Sequence, residues 1–176
     1  IAIFVVGIAV TTFPASIVMR RIGRKNGFTI GMLLAVASAL ICVLALQIHH
    51  FPLLCFGTMV GGMYSAIGQY YRFAAAEVAE SDFKAKAISF VLAGGIFGGI
   101  IGPEASKLTH NLSPLPFQAT YASLIGFALL GLILIRMIDF PPATREEVSQ
   151  EGRPLKEIIR QPVFIVACLS ALVGYG

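Results

Sequence analysis

The 176-residue chain is rich in apolar residues and poor in charged ones, which excludes an ordinary soluble domain. Hydrophobic residues make up 57% of the chain and charged residues 12%, and its mean hydropathy is +0.84. These values are typical of proteins that lie in a bilayer. The net charge of +4 comes from basic residues beside the apolar segments, not from a basic stripe interleaved with exposed aromatic residues, so no nucleic-acid partner is predicted.

Six long apolar stretches follow one another along the chain. An apolar helix of about 20 residues crosses the hydrocarbon core of a bilayer. Five of the stretches approach that length, and the sixth stops at the last residue. The stretches cover residues 1–19, 28–48, 51–76, 87–103, 117–138 and 162–176. The sequence therefore predicts an all-α, multi-pass membrane protein, and we expect the chain to be a piece of a longer one.

Positive charge lies almost entirely on alternate connections between these stretches. The ends of the first, third and fifth stretches, together with the connections that follow them, hold every Lys and Arg residue except Lys107. The positive-inside rule places such connections in the cytoplasm. The short connection 47–52 is then external, and its length predicts a tight hairpin of the second and third helices.

The longest polar segment, residues 139–161, is predicted to be a cytoplasmic linker between two groups of spans. Within it, residues 153–160 have the composition of a short amphipathic helix at the membrane surface. The linker divides the chain into a first bundle at 1–138 and the start of a second bundle at 162–176.

Glycine is concentrated in the third and fourth stretches. Gly94, Gly98 and Gly102 follow one another at intervals of four, as do Gly57 and Gly61. Small residues on one helix face let two helix backbones approach closely in lipid. Two interpretations stay open: a tightly packed interface, or a smooth face along which helices slide. Pro103 ends the longer glycine face.

The cytoplasmic half of the third stretch is polar for a membrane helix. Polar groups inside a bilayer are costly unless they face the bundle interior or water. A continuous helix would place Tyr64, Gly68, Tyr71 and Arg72 on one face, which favours a substrate cavity. The candidate cavity residues are Tyr64, Ser65, Gln69 and Tyr71. The alternative is that the tyrosines belong to an interfacial aromatic belt and that Arg72 extends to the membrane surface.

The first basic connection resembles a signature loop of the Major Facilitator Superfamily, G-x-x-x-D-R-x-G-R-R/K. Four positions match this pattern: Arg21, Gly23, Arg24 and Lys25. Ser16 stands in place of glycine, and Arg20 stands in place of an aspartate that, in the family, belongs to a charge network stabilising the outward-facing state.

Two later segments are similar to other motifs of that family, in the same order. Glu77 and Lys84, which follow Arg72 in the same inner connection, correspond to an inner-loop pattern E-x-x-P-x-x-x-R-G, with Glu80 in place of its proline and Lys84 in place of its arginine. Gly98, Gly102 and Pro103, preceded by Gly94, are similar to the G-x-x-x-G-P part of the antiporter motif. The resemblance assigns the inner-loop residues, Arg20 included, to gating and the glycine residues to helix packing.

The resemblance implies an incomplete bundle that covers helices two to the start of seven of an expected twelve. It implies a monomeric carrier of a small molecule in a bacterial inner membrane, working by alternating access and coupled to H+ as a symporter or antiporter. A fainter likeness, through residues 72–76, 89–95 and 153–158, connects the chain to bacterial members of the superfamily described as riboflavin importers. No complete span holds a deep Asp or Glu, so a proton site is expected outside this chain unless the carrier is a uniporter.

Two other classes of membrane protein would require different features of the sequence. A multi-span membrane enzyme needs a nucleophile and base or metal ligands near a membrane boundary, and the sequence has no such cluster, so no catalytic residue is predicted. Its three cysteines lack C-x-x-C spacing, so neither a metal nor a cofactor is expected. A membrane scaffold would not need polar residues on an inward face, which the third stretch has.

Overall fold

The computed structural model describes residues 1–138 together with residues 140, 161, 166 and 170. The chain divides into two compact units, Ile1–Ala143 and Thr144–Gly176, and the helices described below belong to the first. They are α1 Ala2–Ile22, α2 Arg24–Gln47, α3 Phe51–Gly68, α4 Tyr71–Val78, α5 Lys84–Thr109 and α6 Gln118–Met137, with a 3-10 turn at Ser81–Phe83. The predicted linker and sixth stretch fall outside the described residues, apart from those isolated positions.

Five segments are long and apolar enough to cross a membrane. Four are single helices, α1, α2, α5 and α6, and the fifth is the combined segment Phe51–Val78 that contains α3 and α4. All the elements in residues 1–138 are helical. The prediction of an all-α, multi-span protein is therefore confirmed.

The first basic connection is much shorter than the sequence indicated. Only Gly23 separates α1 from α2, and its φ of 84° is a conformation that L side chains rarely adopt. Arg and Lys are good helix formers, so the basic residues continue the helices and do not interrupt them. The helix α5 also continues beyond its predicted end: it includes Pro103 and ends at Thr109.

The predicted hairpin of the second and third helices is confirmed. Three residues, 48–50, join α2 to α3, and these two helices pack closely along their length. The ring Nδ1 of His50 accepts a hydrogen bond from the backbone N–H of Leu53 at 3.2 Å. Because Pro52 lies in the first turn and has no N–H to satisfy, the helix starts with few unpaired donors.

Helices α1 and α3 cross with their backbones in contact. A Cβ atom added at Gly62 would lie 2.1 Å from the carbonyl oxygen of Phe4, and one added at Gly7 would lie 2.2 Å from that of Met59. Only glycine permits this approach. The crossing joins α1 and α3 into one tightly packed pair, against which α2 also packs.

The shorter glycine face, Gly57 and Gly61, forms a close contact with α2, which agrees with the first of the two interpretations. A Cβ at Gly57 would lie 2.6 Å from the Sγ of Cys42, and one at Gly61 would lie 3.0 Å from the Oγ of Ser38. The Ser38 hydroxyl also donates a hydrogen bond to the carbonyl oxygen of Gly57 at 2.7 Å. These contacts fix α3 against α2.

The longer glycine face on α5 is different. No atom of the described chain lies within 4 Å of the Cβ positions of Gly94, Gly98 and Gly102, and α5 has no buried residue. This helix packs mainly on α4 and makes a smaller contact with α6. The packing role of these three glycines and of Pro103 therefore remains a prediction.

Candidate functional site

Side chains of four helices line a partly open cavity of about 460 Å³. Its wall is formed by side chains from α1, α2, α3 and α6. The lining residues are Phe4, Ala35, Ser38, Cys42, Thr58, Gly61, Tyr64, Ser65, Tyr121, Leu124, Phe127 and Ala128. We call this the central cavity. Its volume lies within the range of about 300–1,000 Å³ usual for small-molecule sites.

The wall of the central cavity is aromatic and uncharged. Four aromatic rings line it, from Phe4, Tyr64, Tyr121 and Phe127, and none of its lining residues is Lys, Arg, His, Asp or Glu. Aromatic rings stack on flat solutes, while hydroxyl groups fix a solute's orientation by donating and accepting hydrogen bonds. The wall is therefore suited to a neutral, planar, partly polar molecule.

Two of the four candidate cavity residues, Tyr64 and Ser65, lie on this wall. Both are half-buried on α3. Gln69 lies in the turn after α3, where it is exposed and its Oε1 accepts a hydrogen bond from Nη2 of Arg72 at 3.1 Å. The structure thus places Gln69 and Arg72 against each other and away from the central cavity.

Tyr71 also lies away from the central cavity. Its ring stacks on that of Phe28, with centroids 4.4 Å apart and planes inclined by 19°, and Phe28 is fully buried. Tyr71 contributes to a second cavity between α4, α5 and the end of α6. Among the described residues, the Tyr71 ring therefore stacks on Phe28 and does not face the central cavity.

The expected continuous polar face is interrupted because α3 ends at Gly68. Gln69 and Tyr70 form a turn before α4 starts at Tyr71. The hydroxyl of Tyr70 donates a hydrogen bond to the carbonyl oxygen of Thr12 on α1 at 2.7 Å. This bond holds the turn against α1, so residues on either side of it face different parts of the bundle.

The structure brings two of the inner-loop motifs together through Arg24 and Glu77. Nε of Arg24 donates to Oε2 of Glu77 at 2.8 Å, and Nη2 donates to Oε1. A guanidinium fork that meets both oxygens of a carboxylate is the most directional ion pair in proteins. The start of α2 is in this way fixed to α4.

The remaining basic residues lie at the same helix ends as this ion pair. The ends of α1 and α6, the start of α2 and the helix α4 contribute to one apolar cluster that includes Met19, Phe28 and Ile135. Apart from Lys107, which pairs with Glu104 at the other end of α5, the described Lys and Arg residues all lie at these ends. They are Arg20, Arg21, Arg24, Lys25, Arg72, Lys84, Lys86 and Arg136.

Several cavity residues were not singled out from the sequence. Ser38 and Cys42 lie four residues apart on α2, and Tyr121 and Phe127 lie on α6. The spacing of Ser38 and Cys42 on an otherwise apolar helix was an available signal for α2. Tyr121 offered none, because a single tyrosine in an apolar stretch is equally typical of a membrane interface.

Metal binding has no support in the part of the chain that the structure describes. There, no group of three His, Cys, Asp or Glu residues is arranged to hold a metal ion. The uncharged wall of the central cavity likewise offers no carboxylate ligand.

Comparison with known proteins gave one family and one informative relative. The profile of the Major Facilitator Superfamily matches residues 1–176. The chain is 34% identical over 179 aligned positions to a protein of Brucella anthropi named riboflavin transporter RfnT, and the alignment covers 100% of this chain and 45% of that protein. The chain thus spans less than half the length of this relative. No solved structure matched the chain. Since the profile covers its whole length, the chain belongs to the Major Facilitator Superfamily, a family of membrane transporters.

Proposed function

We propose that the complete protein is a secondary active transporter that carries riboflavin, or a closely related neutral flavin, through the central cavity. The observation that carries this proposal is the uncharged wall with four aromatic rings. A flavin has a flat three-ring system with carbonyl and ring-nitrogen groups at its edge, and such a molecule suits stacking and hydrogen bonding together. The name of the Brucella anthropi relative points to the same class of solute.

Tyr64 and Tyr121 are the side chains proposed to hold the ring system. They come from α3 and α6 and line the same cavity, so a flat solute between the two helices would be in reach of both. Ser38 and Ser65 supply hydroxyl groups from α2 and α3, which are proposed to bind the edge of the rings. Gln69 and Tyr71 were candidates from the sequence and have no place in this binding scheme.

Alternating access is the proposed mechanism, with this chain forming most of one of two moving halves. The backbone contact between Gly7 and Gly62 supports motion of α1 and α3 as one body, because such a close interface cannot slide without clashes. The pair between Arg24 and Glu77 is proposed to fix the basic end of that body. Arg20, Arg21, Gly23, Lys25, Arg72 and Lys84 are proposed to complete a gate there.

Proton coupling remains part of the proposal, without a proton-binding residue from this chain. No carboxylate or histidine lines the central cavity, and such a group is what a proton-coupled carrier needs in its dry region. The proton-binding group is therefore proposed to belong to the second half. We further propose that the protein acts as a monomer in the bacterial cytoplasmic membrane.

The test is uptake by proteoliposomes that contain the full-length protein. Labelled riboflavin is supplied outside, with and without an imposed inward proton gradient, and empty liposomes serve as the control. We expect saturable uptake that unlabelled riboflavin abolishes and that the gradient accelerates. Uptake no faster than in empty liposomes would refute the flavin proposal, and uptake indifferent to the gradient would refute proton coupling alone.

A further inference from the structure

A second cavity lies between α4, α5 and the end of α6, and its wall is almost entirely apolar. Its volume is about 540 Å³. Its lining residues include Ala75, Val78, Phe83, Ala87, Ile138 and Phe140. We call this the lateral cavity. It shares no lining residue with the central cavity.

The wall of the lateral cavity is suited to hydrocarbon. Phe83, Ala87 and Val91 line it at intervals of four residues, so they form a stripe along one side of α5 that is about 12 Å long. Tyr71 carries the one hydroxyl group on this wall, and its ring is stacked on Phe28. A polar solute would find few hydrogen-bonding partners here. A flexible alkyl chain has no polar groups, so its burial in this cavity breaks no hydrogen bond with water.

Positive charge lies beside this apolar wall. Lys84 and Lys86 are exposed on the first turn of α5, next to Phe83, and the ammonium nitrogen of Lys86 lies 5.8 Å from the centroid of the Phe83 ring. Arg136 precedes the lining residue Ile138 by two positions. The cavity therefore combines an apolar wall with cations at one end.

Among the described residues, the acidic groups near this end do not cancel the positive charge. Glu77 is bound by Arg24, and Glu80 and Asp82 lie on the turn before α5. Beside the cavity itself, the three cations Lys84, Lys86 and Arg136 outnumber these last two carboxylates. The excess of positive charge favours an anionic head group.

We propose that the lateral cavity binds one anionic phospholipid, such as phosphatidylglycerol, from the surrounding leaflet. One acyl chain lies along the wall formed by Phe83, Ala87 and Val91, and the phosphate contacts Lys84 and Lys86. The bound lipid fills the space between α4 and α5 and so stabilises the contact of α5 with the rest of the bundle. This site is independent of the proposed transport function.

The test measures lipid retention by the full-length protein in detergent with native mass spectrometry. Phosphatidylglycerol and phosphatidylcholine with identical acyl chains are added in parallel. We expect one tightly retained molecule of phosphatidylglycerol and about fivefold weaker binding in Lys84→Gln or Lys86→Gln, since a basic residue near an anionic head group contributes about this factor. Lys107→Gln is the matched control, because it removes the same charge from the opposite end of α5, and it should bind as the unaltered protein does.

A second pair of variants tests the apolar part of the site. Ala87→Trp fills the cavity, whereas Ala85→Trp adds the same ring at an exposed position that does not line it. Loss of the bound lipid in Ala87→Trp alone supports the proposal. Equal retention of both lipids, equal losses in the Lys107 and Lys86 variants, or full retention in Ala87→Trp would each overturn it. Full retention of the lipid in Ala87→Trp would mean that another part of the protein, or exchanging bilayer lipid, occupies the cavity.

Discussion

Arg24 and Glu77 form a two-point ion pair that joins the start of α2 to α4 across 53 residues of sequence. The two residues lie in the two segments that resemble inner-loop motifs of the family, and the pair joins those segments. The Glu77 side chain is 45% exposed and that of Arg24 is 28% exposed. Solvent therefore screens the pair, and its role lies more in fixing geometry than in stabilising the fold.

Breaking this pair is expected to affect the coupling between α2 and α4 more than overall stability. Arg24→Gln removes the charge and the guanidinium fork, so the ion pair with Glu77 is lost. In a double-mutant cycle with Glu77→Gln, thermal unfolding in detergent should give a coupling energy of about 0.5–1 kcal/mol. Riboflavin uptake should fall in both single variants.

The pair between Lys107 and Glu104 provides the matched control for that cycle. It is also an ion pair, at 2.7 Å, but both side chains are mostly exposed and both lie on α5. Its coupling energy should be close to zero, and Glu104→Gln should leave uptake unchanged. A larger coupling for this pair than for Arg24 and Glu77 would contradict a special role for the α2–α4 connection.

Substitution of Gly62 should destabilise the bundle strongly. In Gly62→Ala the new methyl group would meet the carbonyl oxygen of Phe4 at 2.1 Å, and backbone on both sides leaves nothing flexible to yield. The cost should be about 2 kcal/mol or more in the free energy of unfolding, measured as a lowered unfolding temperature or a loss of folded protein after extraction.

The control for Gly62 is Gly98→Ala on α5, where no described atom lies within 4 Å of the new methyl group. Alanine favours a helix over glycine by up to about 1 kcal/mol, so this variant should be as stable as the unaltered protein or slightly more so. If Gly98→Ala destabilised the full-length protein as much as Gly62→Ala, then α5 would be packed tightly against a part of the protein beyond the described residues.

Tyr64 should contribute to solute binding mainly through its ring. Tyr64→Ala removes a stacking surface worth about 1 kcal/mol or more, so KM for riboflavin should rise about five- to tenfold. Tyr64→Phe keeps the ring and should change KM much less. Phe56→Ala is the control, because Phe56 is an exposed aromatic residue of α3 that lies outside the central cavity. Equal effects of the Tyr64 and Phe56 alanine variants would remove Tyr64 from the site.

Much of the fold could be predicted because membrane insertion depends on local properties. The length of an apolar stretch and the charge of its flanks are visible in the sequence, so the five spans and the α2–α3 hairpin were predictable. The same reasoning fails at close helix contacts. Gly61 belongs to the recognised spacing and meets the side chains of Ser38 and Phe4, whereas its neighbour Gly62 meets the backbone of Phe4, because adjacent residues on a helix point about 100° apart.

The candidate site was only half predictable for a related reason. Tyr64 and Ser65 could be found because they are polar residues on an apolar helix. Tyr71 could not be separated from them, since the turn at Gln69 and Tyr70 is fixed by a hydrogen bond to Thr12, far away in sequence. Tyr121 likewise enters the cavity only because α6 packs on α2, a contact that no local pattern records.

The sidedness of the bundle can be tested with single cysteines in a variant that lacks the native ones. A cysteine at position 21 lies at the basic end, and one at position 50 lies in the α2–α3 connection. The positive-inside rule predicts that a membrane-impermeant thiol reagent added to intact cells labels position 50 and not position 21. After the cells are opened, both should react. The reverse pattern would invert the proposed topology.

The uncharged central cavity predicts discrimination between riboflavin and its phosphate ester. The phosphate of flavin mononucleotide carries about two negative charges at neutral pH, and none of the side chains that line the cavity is a cation that would pair with them. Burying an unpaired charge is costly, so the ester should compete with labelled riboflavin at least tenfold less well than unlabelled riboflavin does. Lumichrome, which keeps the flat ring system and lacks the ribityl chain, should still compete. Equal competition by the phosphate ester would show that cations outside the described cavity wall contact the solute. The Tyr64 variants would then be the remaining test of ring stacking.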